Sequence, residues 1–165
     1  MADYRFTREP RERTYHRLID YAFGTGATGL LVVRQLPKPD ESCFDFVSKL
    51  QRYVLSATER AEWPGTRLMD DVATVYTLAL NYPSAELLKY AVSGLYGWEL
   101  PELPEDLCVL RNDGSPLLGS IAHEREGWLS LTDTEHQNLL RVWPDLYALL
   151  GGPELDRAKR QNSRL

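Results

Sequence analysis

Leu107-Cys108-Val109-Leu110-Arg111-Asn112-Asp113-Gly114-Ser115-Pro116-Leu117-Leu118-Gly119-Ser120-Ile121-Ala122 is the run whose reading decides the fold of this chain. Two short apolar segments flank an Asp-Gly pair, and Asp-Gly between strand-like runs is a strong hairpin signal. With Asp113 and Gly114 as the loop, Cys108 falls opposite Gly119 and Leu110 opposite Leu117. A second turn at Glu126-Gly127 returns the Trp128 to Leu131 segment antiparallel to its predecessor, which makes a three-stranded meander. Thr132-Asp133-Thr134-Glu135 follows with the spacing of a capping box. It opens a helix carrying Leu139, Leu140, Trp143 and Leu146, which Pro144 should kink and Gly151-Gly152 should stop.

Upstream of the hairpin the chain alternates helices and strands. Tyr15, Leu18, Ile19, Ala22 and Phe23 recur at helical spacing from a cap at Thr7, with Pro10 in the first turn. Gly29 to Leu36 reads as a strand closed by Pro37 and Pro39. Asp40 caps a second helix whose apolar face runs from Cys43 and Phe46 through Leu50 and Val54 to Ala57. The segment 68–80 fits either state in part, and Ala73 to Leu80 is assigned as a strand for its β-branched and aromatic content. Ser84 caps a third helix with Leu87, Leu88, Ala91, Val92 and Leu95 on its buried stripe. The order α-β-α-β-α-β-β-β-α predicts an α+β protein, one mixed sheet with the C-terminal meander in it and helices packed on it. Residues 1–153 form a single domain in this reading, and 154–165 are a polar, frayed tail.

Length and composition set the class. The 165 residues, 43% hydrophobic and 26% charged, suit one globular core and exclude a disordered chain. Two cysteines, Cys43 and Cys108, lie among apolar neighbours and read as reduced, buried thiols. No export signal stands out near the start, and the longest aliphatic run is far too short to span a bilayer. A cytoplasmic protein with no membrane role is expected. The formal net charge of −5 argues against a nucleic-acid partner, whose binding requires phosphate neutralisation.

Catalytic and metal motifs are absent at the level of spacing. Gly24-Thr25-Gly26-Ala27-Thr28-Gly29 matches a dinucleotide loop by letter, yet a helix precedes it and a strand follows. That order is the reverse of what phosphate binding at a helix N-terminus needs. His123-Glu124 lacks a second histidine one turn on, so no zinc site follows from it. Cys108 and His123 share a face by parity but sit too far apart along the strands for a nucleophile–base pair, and Ser120 lacks a nucleophile elbow. No catalytic residue, metal or cofactor is assigned.

The stretch Leu103-Pro104-Glu105-Asp106-Leu107-Cys108, with Arg111-Asn112-Asp113-Gly114 and His123-Glu124, resembles the hairpin region of small uncharacterised bacterial proteins. Those are similar to the acidic α+β immunity proteins that accompany secreted bacterial toxins. The resemblance, over about the last third of the chain, implies a cytoplasmic protein that neutralises a partner by binding it. The leading expectation is therefore a non-enzymatic protein-binding module for a basic protein, steered by acidic residues and anchored by aromatics. Its candidate contacts are Asp70, Asp71, Glu105, Asp106, Glu124 and Glu126, with His123 and two exposed tryptophans, Trp63 and Trp98. The alternative is a small enzyme or ligand-binding regulator with its site near His123. The two readings divide on one point: a binding module needs its ionisable groups dispersed, whereas His123 against an inward-facing acid marks a site.

Overall fold

A computed structural model of the chain describes residues 1–154. Ten strands and five helices run in the order β1 (Ala2–Phe6), α1 (Glu12–Thr25), β2 (Thr28–Val33), α2 (Glu41–Leu50), β3 (Val54–Arg60), β4 (Glu62–Trp63), β5 (Thr66–Arg67), β6 (Ala73–Ala79) and α3 (Tyr82–Ala91). Then come β7 (Glu105–Leu110), β8 (Pro116–Ile121), β9 (Glu126–Leu131), α4 (Asp133–Val142), α5 (Pro144–Tyr147) and β10 (Leu150–Glu154). Eight strands form one sheet in the order β10-β1-β9-β8-β7-β2-β6-β3, and β4 and β5 form a separate small hairpin. Every pairing in the large sheet is antiparallel. The protein is an α+β fold with its helices on that sheet.

Side-chain alternation along the central strands separates two cores. Leu31, Leu78, Leu107 and Val109 belong to the main core, together with Tyr15, Leu18 and Ile19 of α1 and Leu88 of α3. Their strand neighbours Leu30, Val32, Val75 and Cys108 point to the other face, where Trp63 covers them. The β4–β5 hairpin is thus a lid of chain folded over the second face. Its tip, Gly65, lies so near Trp128 that an added Cβ would be 2.4 Å from the indole. The left-handed φ of +87° at Gly65 is open to glycine without penalty.

Several local expectations hold. The meander β7–β8–β9 forms, Ala73–Ala79 is a strand, and helix α4 breaks before Pro144. Thr132 and Glu135 close a reciprocal capping box, each side chain accepting from the other's backbone N–H. The 24–29 segment is a helix-to-strand connection.

Others are corrected. Ala2–Phe6 is a strand, with Tyr4 and Phe6 buried in alternation, and the first helix starts at Glu12, beyond both Thr7 and Pro10. The second helix stops at Leu50; after a single 3₁₀ turn the chain becomes edge strand β3 at Val54. Val54 and Ala57 suit a helical face and a strand equally, and pairing with β6 decides between them. Asn81, not Ser84, caps α3, while the Ser84 hydroxyl accepts from the Asn81 N–H. The Asp113-Gly114 loop is longer than two residues. Gly114 N–H bonds Arg111 O and Arg111 N–H bonds Ser115 O, with Gly114 left-handed at φ +81°. This is a type I turn followed by a one-residue bulge, and it shifts Leu110 opposite Pro116. The second turn is the 3₁₀ segment Ala122–Glu124, so Glu126 and Gly127 are already strand. From Leu150 to Glu154 the chain forms β10 against β1; the rest of the predicted tail lies outside the described residues. Among the described residues no helix is long and apolar enough to cross a membrane.

Candidate functional site

The antiparallel order brings three chain segments together at one end of the central strands: the exit of β2, the start of β7 and the exit of β8. Arg34 follows β2, Glu105 and Asp106 begin β7, and His123 lies in the turn after β8. The junction is irregular. Leu30 pairs with Cys108 and Val32 with Glu105, so Asp106 and Leu107 together face the single residue Leu31. Such a bulge re-aims side chains at a strand end. Asp106 takes up the extra residue with a left-handed backbone, φ +57°. Aspartate tolerates that region better than most residues, though at a cost that its surroundings must offset.

Those surroundings are specific. Asp106 N–H donates to Trp98 O at 3.3 Å. The Asp106 carboxylate accepts from Ala122 N–H at 2.9 Å and from the Trp63 indole N–H at 3.0 Å. The carbonyl of Leu107, displaced by the bulge, accepts from Ser120 Oγ at 2.8 Å. Arg34 forks onto Glu105, with Nη2 donating to Oε2 at 2.9 Å and Nε donating to Oε1. A bidentate guanidinium–carboxylate pair combines charge with fixed geometry.

Glu105 and Asp106 are buried, at 1% and 0% exposure, whereas the side chain of His123 is 41% exposed. One ligand atom each from Glu105, Asp106 and His123 lies within 4.8 Å of the others. Burial pushes both carboxyls up from the ordinary carboxylate range, as loss of water penalises the ion. Arg34 opposes this at Glu105; the Ala122 and Trp63 donors oppose it at Asp106. The result is two desolvated carboxyls beside a half-exposed imidazole. Such a set can hold a cation, or pass a proton between the imidazole and an acid.

The sequence-derived candidates divide. Glu105, Asp106, His123 and Trp63 converge here. Glu124 stands beside them, with Oε1 3.7 Å from His123 Nε2, and Asp71 acts electrostatically on Arg34. Glu126 instead pairs with Arg5 at 2.9 Å, and Asp70 is an exposed residue with φ +56°. The tryptophans expected at the surface are buried: Trp63 is 5% and Trp98 0% exposed. Trp63 serves as the second-face lid and Trp98 packs against Phe46 in the main core, so neither offers a partner an anchor. His123 brings a ring nitrogen within 4.8 Å of carboxylate oxygens of the buried Glu105 and Asp106. Arg34, missed by the sequence reading, has no local signal beyond closing an aliphatic strand.

Thiol and hydroxyl chemistry do not enter this site. Cys108 is fully buried, its Sγ 3.3 Å from Asp106 O, and burial pushes its thiol up to about 12. The Ser120 hydroxyl is committed to Leu107 O. No family model, no curated protein and no solved structure matches this chain.

Proposed function

We propose that the chain is a cation-binding protein whose working site is formed by Glu105, Asp106 and His123. The observation that carries this is their convergence: two buried carboxylates and one half-exposed imidazole present ligand atoms within 4.8 Å of one another. An imidazole with two carboxylates suits a borderline first-row ion, Zn²⁺ or Mn²⁺, better than Mg²⁺ or Ca²⁺, which favour all-oxygen sets. Each ionised carboxylate has lone pairs beyond those its donors occupy, so Arg34 and Trp63 can stay in place as outer support. The guanidinium neutralises Glu105 and keeps the affinity moderate. Three protein ligands leave a position toward solvent on the His123 side, and a water bound there would be acidified for hydrolytic attack.

Calorimetric titration with ZnCl₂ and MnCl₂ tests the reading. One ion per chain is expected, with affinity lowered at least about tenfold by His123→Ala and by Asp106→Asn. Asparagine keeps the left-handed backbone accessible, so that variant separates loss of a ligand from loss of the bulge. No binding, or binding indifferent to both substitutions, refutes the site. A second reading, capture of a basic protein, draws on the exposed Asp70, Asp71 and Glu124 near the same end. It predicts salt-sensitive association that His123→Ala leaves unchanged.

A further inference from the structure

Helices α1 and α4 leave between them a cavity of about 190 Å³. Glu135, Asn138, Leu139 and Val142 line it from α4, on one face at i, i+3, i+4 and i+7, and Trp143 follows them. Tyr21 and Thr25 line it from α1. Asn138 and Val142 are exposed whereas Leu139 is buried, so the cavity runs from the surface toward the main core. The Tyr21 hydroxyl is buried here and has no hydrogen-bond partner among the described residues. Burial, with Glu135 adding to it, pushes that hydroxyl up to about 12, so it stays protonated. Thr25 lies near enough to lower the value somewhat, yet makes no hydrogen bond of normal geometry with it. Burying a hydroxyl without a partner is costly, and phenylalanine would fill the same space without that cost.

The other polar groups of the lining have capacity to spare. Arg111 Nη2 at 2.6 Å and the Thr132 N–H at 2.9 Å both donate to Glu135 Oε2, which leaves lone pairs on Oε1. Asn138 Oδ1 accepts from Arg141 Nη2 at 3.3 Å, and its amide N–H₂ still has donors to offer. An acceptor, a donor and a hydroxyl able to act as either thus border one space walled by Leu139, Val142 and Trp143. The Arg17 guanidinium lies 5.6 Å over the Trp143 ring and helps to hold that wall in place. The charge is balanced, since Glu135 is the only charged side chain of the lining and Arg111 already pairs with it.

We infer that this cavity binds a small neutral ring compound bearing a carboxamide-like group, whose donor and acceptor sit side by side. Its N–H₂ would donate to Tyr21 Oη and Glu135 Oε1, and its carbonyl would accept from Asn138. Volume sets the size: a cavity of about 150 Å³ takes a benzene ring, so this one takes a single ring with a substituent of a few atoms. The Arg111–Glu135 pair sets the charge, because an entering ion would lose its water beside a pair that is already neutral. A purely apolar guest would leave the Tyr21 hydroxyl as it stands. A lone water could reach that hydroxyl, but one molecule takes only about 30 Å³ and the Leu139–Trp143 wall gives further waters few partners. The site is independent of the cation reading, and its test reads binding alone.

Titration with four probes, followed by the indole N–H resonance of Trp143, decides the matter: benzamide, toluene, benzylamine and benzoate. Trp143→Phe identifies the resonance by its loss. Benzamide should shift it saturably, and the other three should bind at least about tenfold more weakly. Tyr21→Phe should weaken benzamide about fivefold or more while its urea midpoint stays at or above the parent's, as expected when an unpartnered hydroxyl is removed. Val142→Trp, which adds bulk at an exposed position of the lining, should block benzamide in a protein that still folds. The inference is overturned by an unsaturable benzamide shift, by equal affinity for toluene or either ion, or by benzamide binding that neither substitution changes. A Tyr21→Phe protein clearly less stable than the parent would show the hydroxyl already satisfied, and would overturn it too.

Discussion

Trp63 and Asp106, 43 residues apart in the chain, are joined by an indole N–H to carboxylate hydrogen bond of 3.0 Å beneath the β4–β5 hairpin. This contact ties the lid of the second face to the bulged start of β7, and it gives a buried carboxylate one of its two donors. Trp63→Phe keeps most of the apolar cover and removes the donor. The expected loss is about 2 kcal/mol, the range for withdrawing a partner from a buried charged group. Urea unfolding should register it as a lower midpoint with an unchanged slope. A variant as stable as the parent would show that Asp106 is satisfied without the lid.

Gly119 and Trp128 face each other across β8 and β9, and the indole lies over the glycine. A Cβ on Gly119 would sit 2.2 Å from Cζ2 of a ring that is itself 5% exposed, with Gly65 also close to its Cη2. Gly119→Ala should therefore cost about 3 kcal/mol through overpacking. Gly114→Ala meets nothing within 4 Å and bears only the left-handed backbone at φ +81°, for about 1 kcal/mol. Thermal melts of the two variants should rank them in that order.

Both thiols should be inert in the folded protein. Cys43 and Cys108 are each 0% exposed, and burial pushes the thiols up to about 11 and about 12. Thiolate is the reactive form, and almost none exists at neutral pH under those conditions. A disulfide reagent should label neither residue in buffer and both in denaturant. Rapid labelling of one in buffer would reveal local opening around it.

The Arg17–Asp145 pair should leave a mark on the acid limb of stability. Partial burial would raise the Asp145 carboxyl, but the Arg17 guanidinium at 2.5 Å, together with backbone N–H donors at the start of α5, holds the group below its usual range. A depressed carboxyl adds stability that is present above the unfolded-state value and is lost as pH falls through the folded-state one. Asp145→Asn should accordingly destabilise the protein near neutrality and narrow its gap from the parent toward about pH 3. Unfolding midpoints at several pH values check the sign. A gap that widens in acid would contradict the pair's role.

Reading the chain alone goes furthest where the determining contacts are local. The Thr132–Glu135 capping box, the helix break before Pro144 and the succession of strands after Glu105 all rest on residues within a few positions of each other. The same locality explains the failures. Val54 to Ala57 continue a helical periodicity as well as they begin a strand, and only the bonds to β6 select the strand. Asp-Gly at 113–114 permits two loop types, and the flanking register picks the longer.

The site was legible as residue types and not as a place. Glu105, Asp106 and His123 could each be named, but alternation along a strand puts adjacent acids on opposite faces. The bulge at Asp106 and Leu107 breaks that alternation, and its stabilising partners come from 43 residues away at Trp63 and 16 at Ala122. Arg34, which neutralises Glu105, lies 71 residues back. The primary structure by itself settled the class, the helices with strong caps and the meander, because nearest-neighbour stereochemistry governs those. Burial of two acids, one of them held by an indole, was decided only by the assembled sheet, since desolvation is a property of whatever distant chain happens to cover a group.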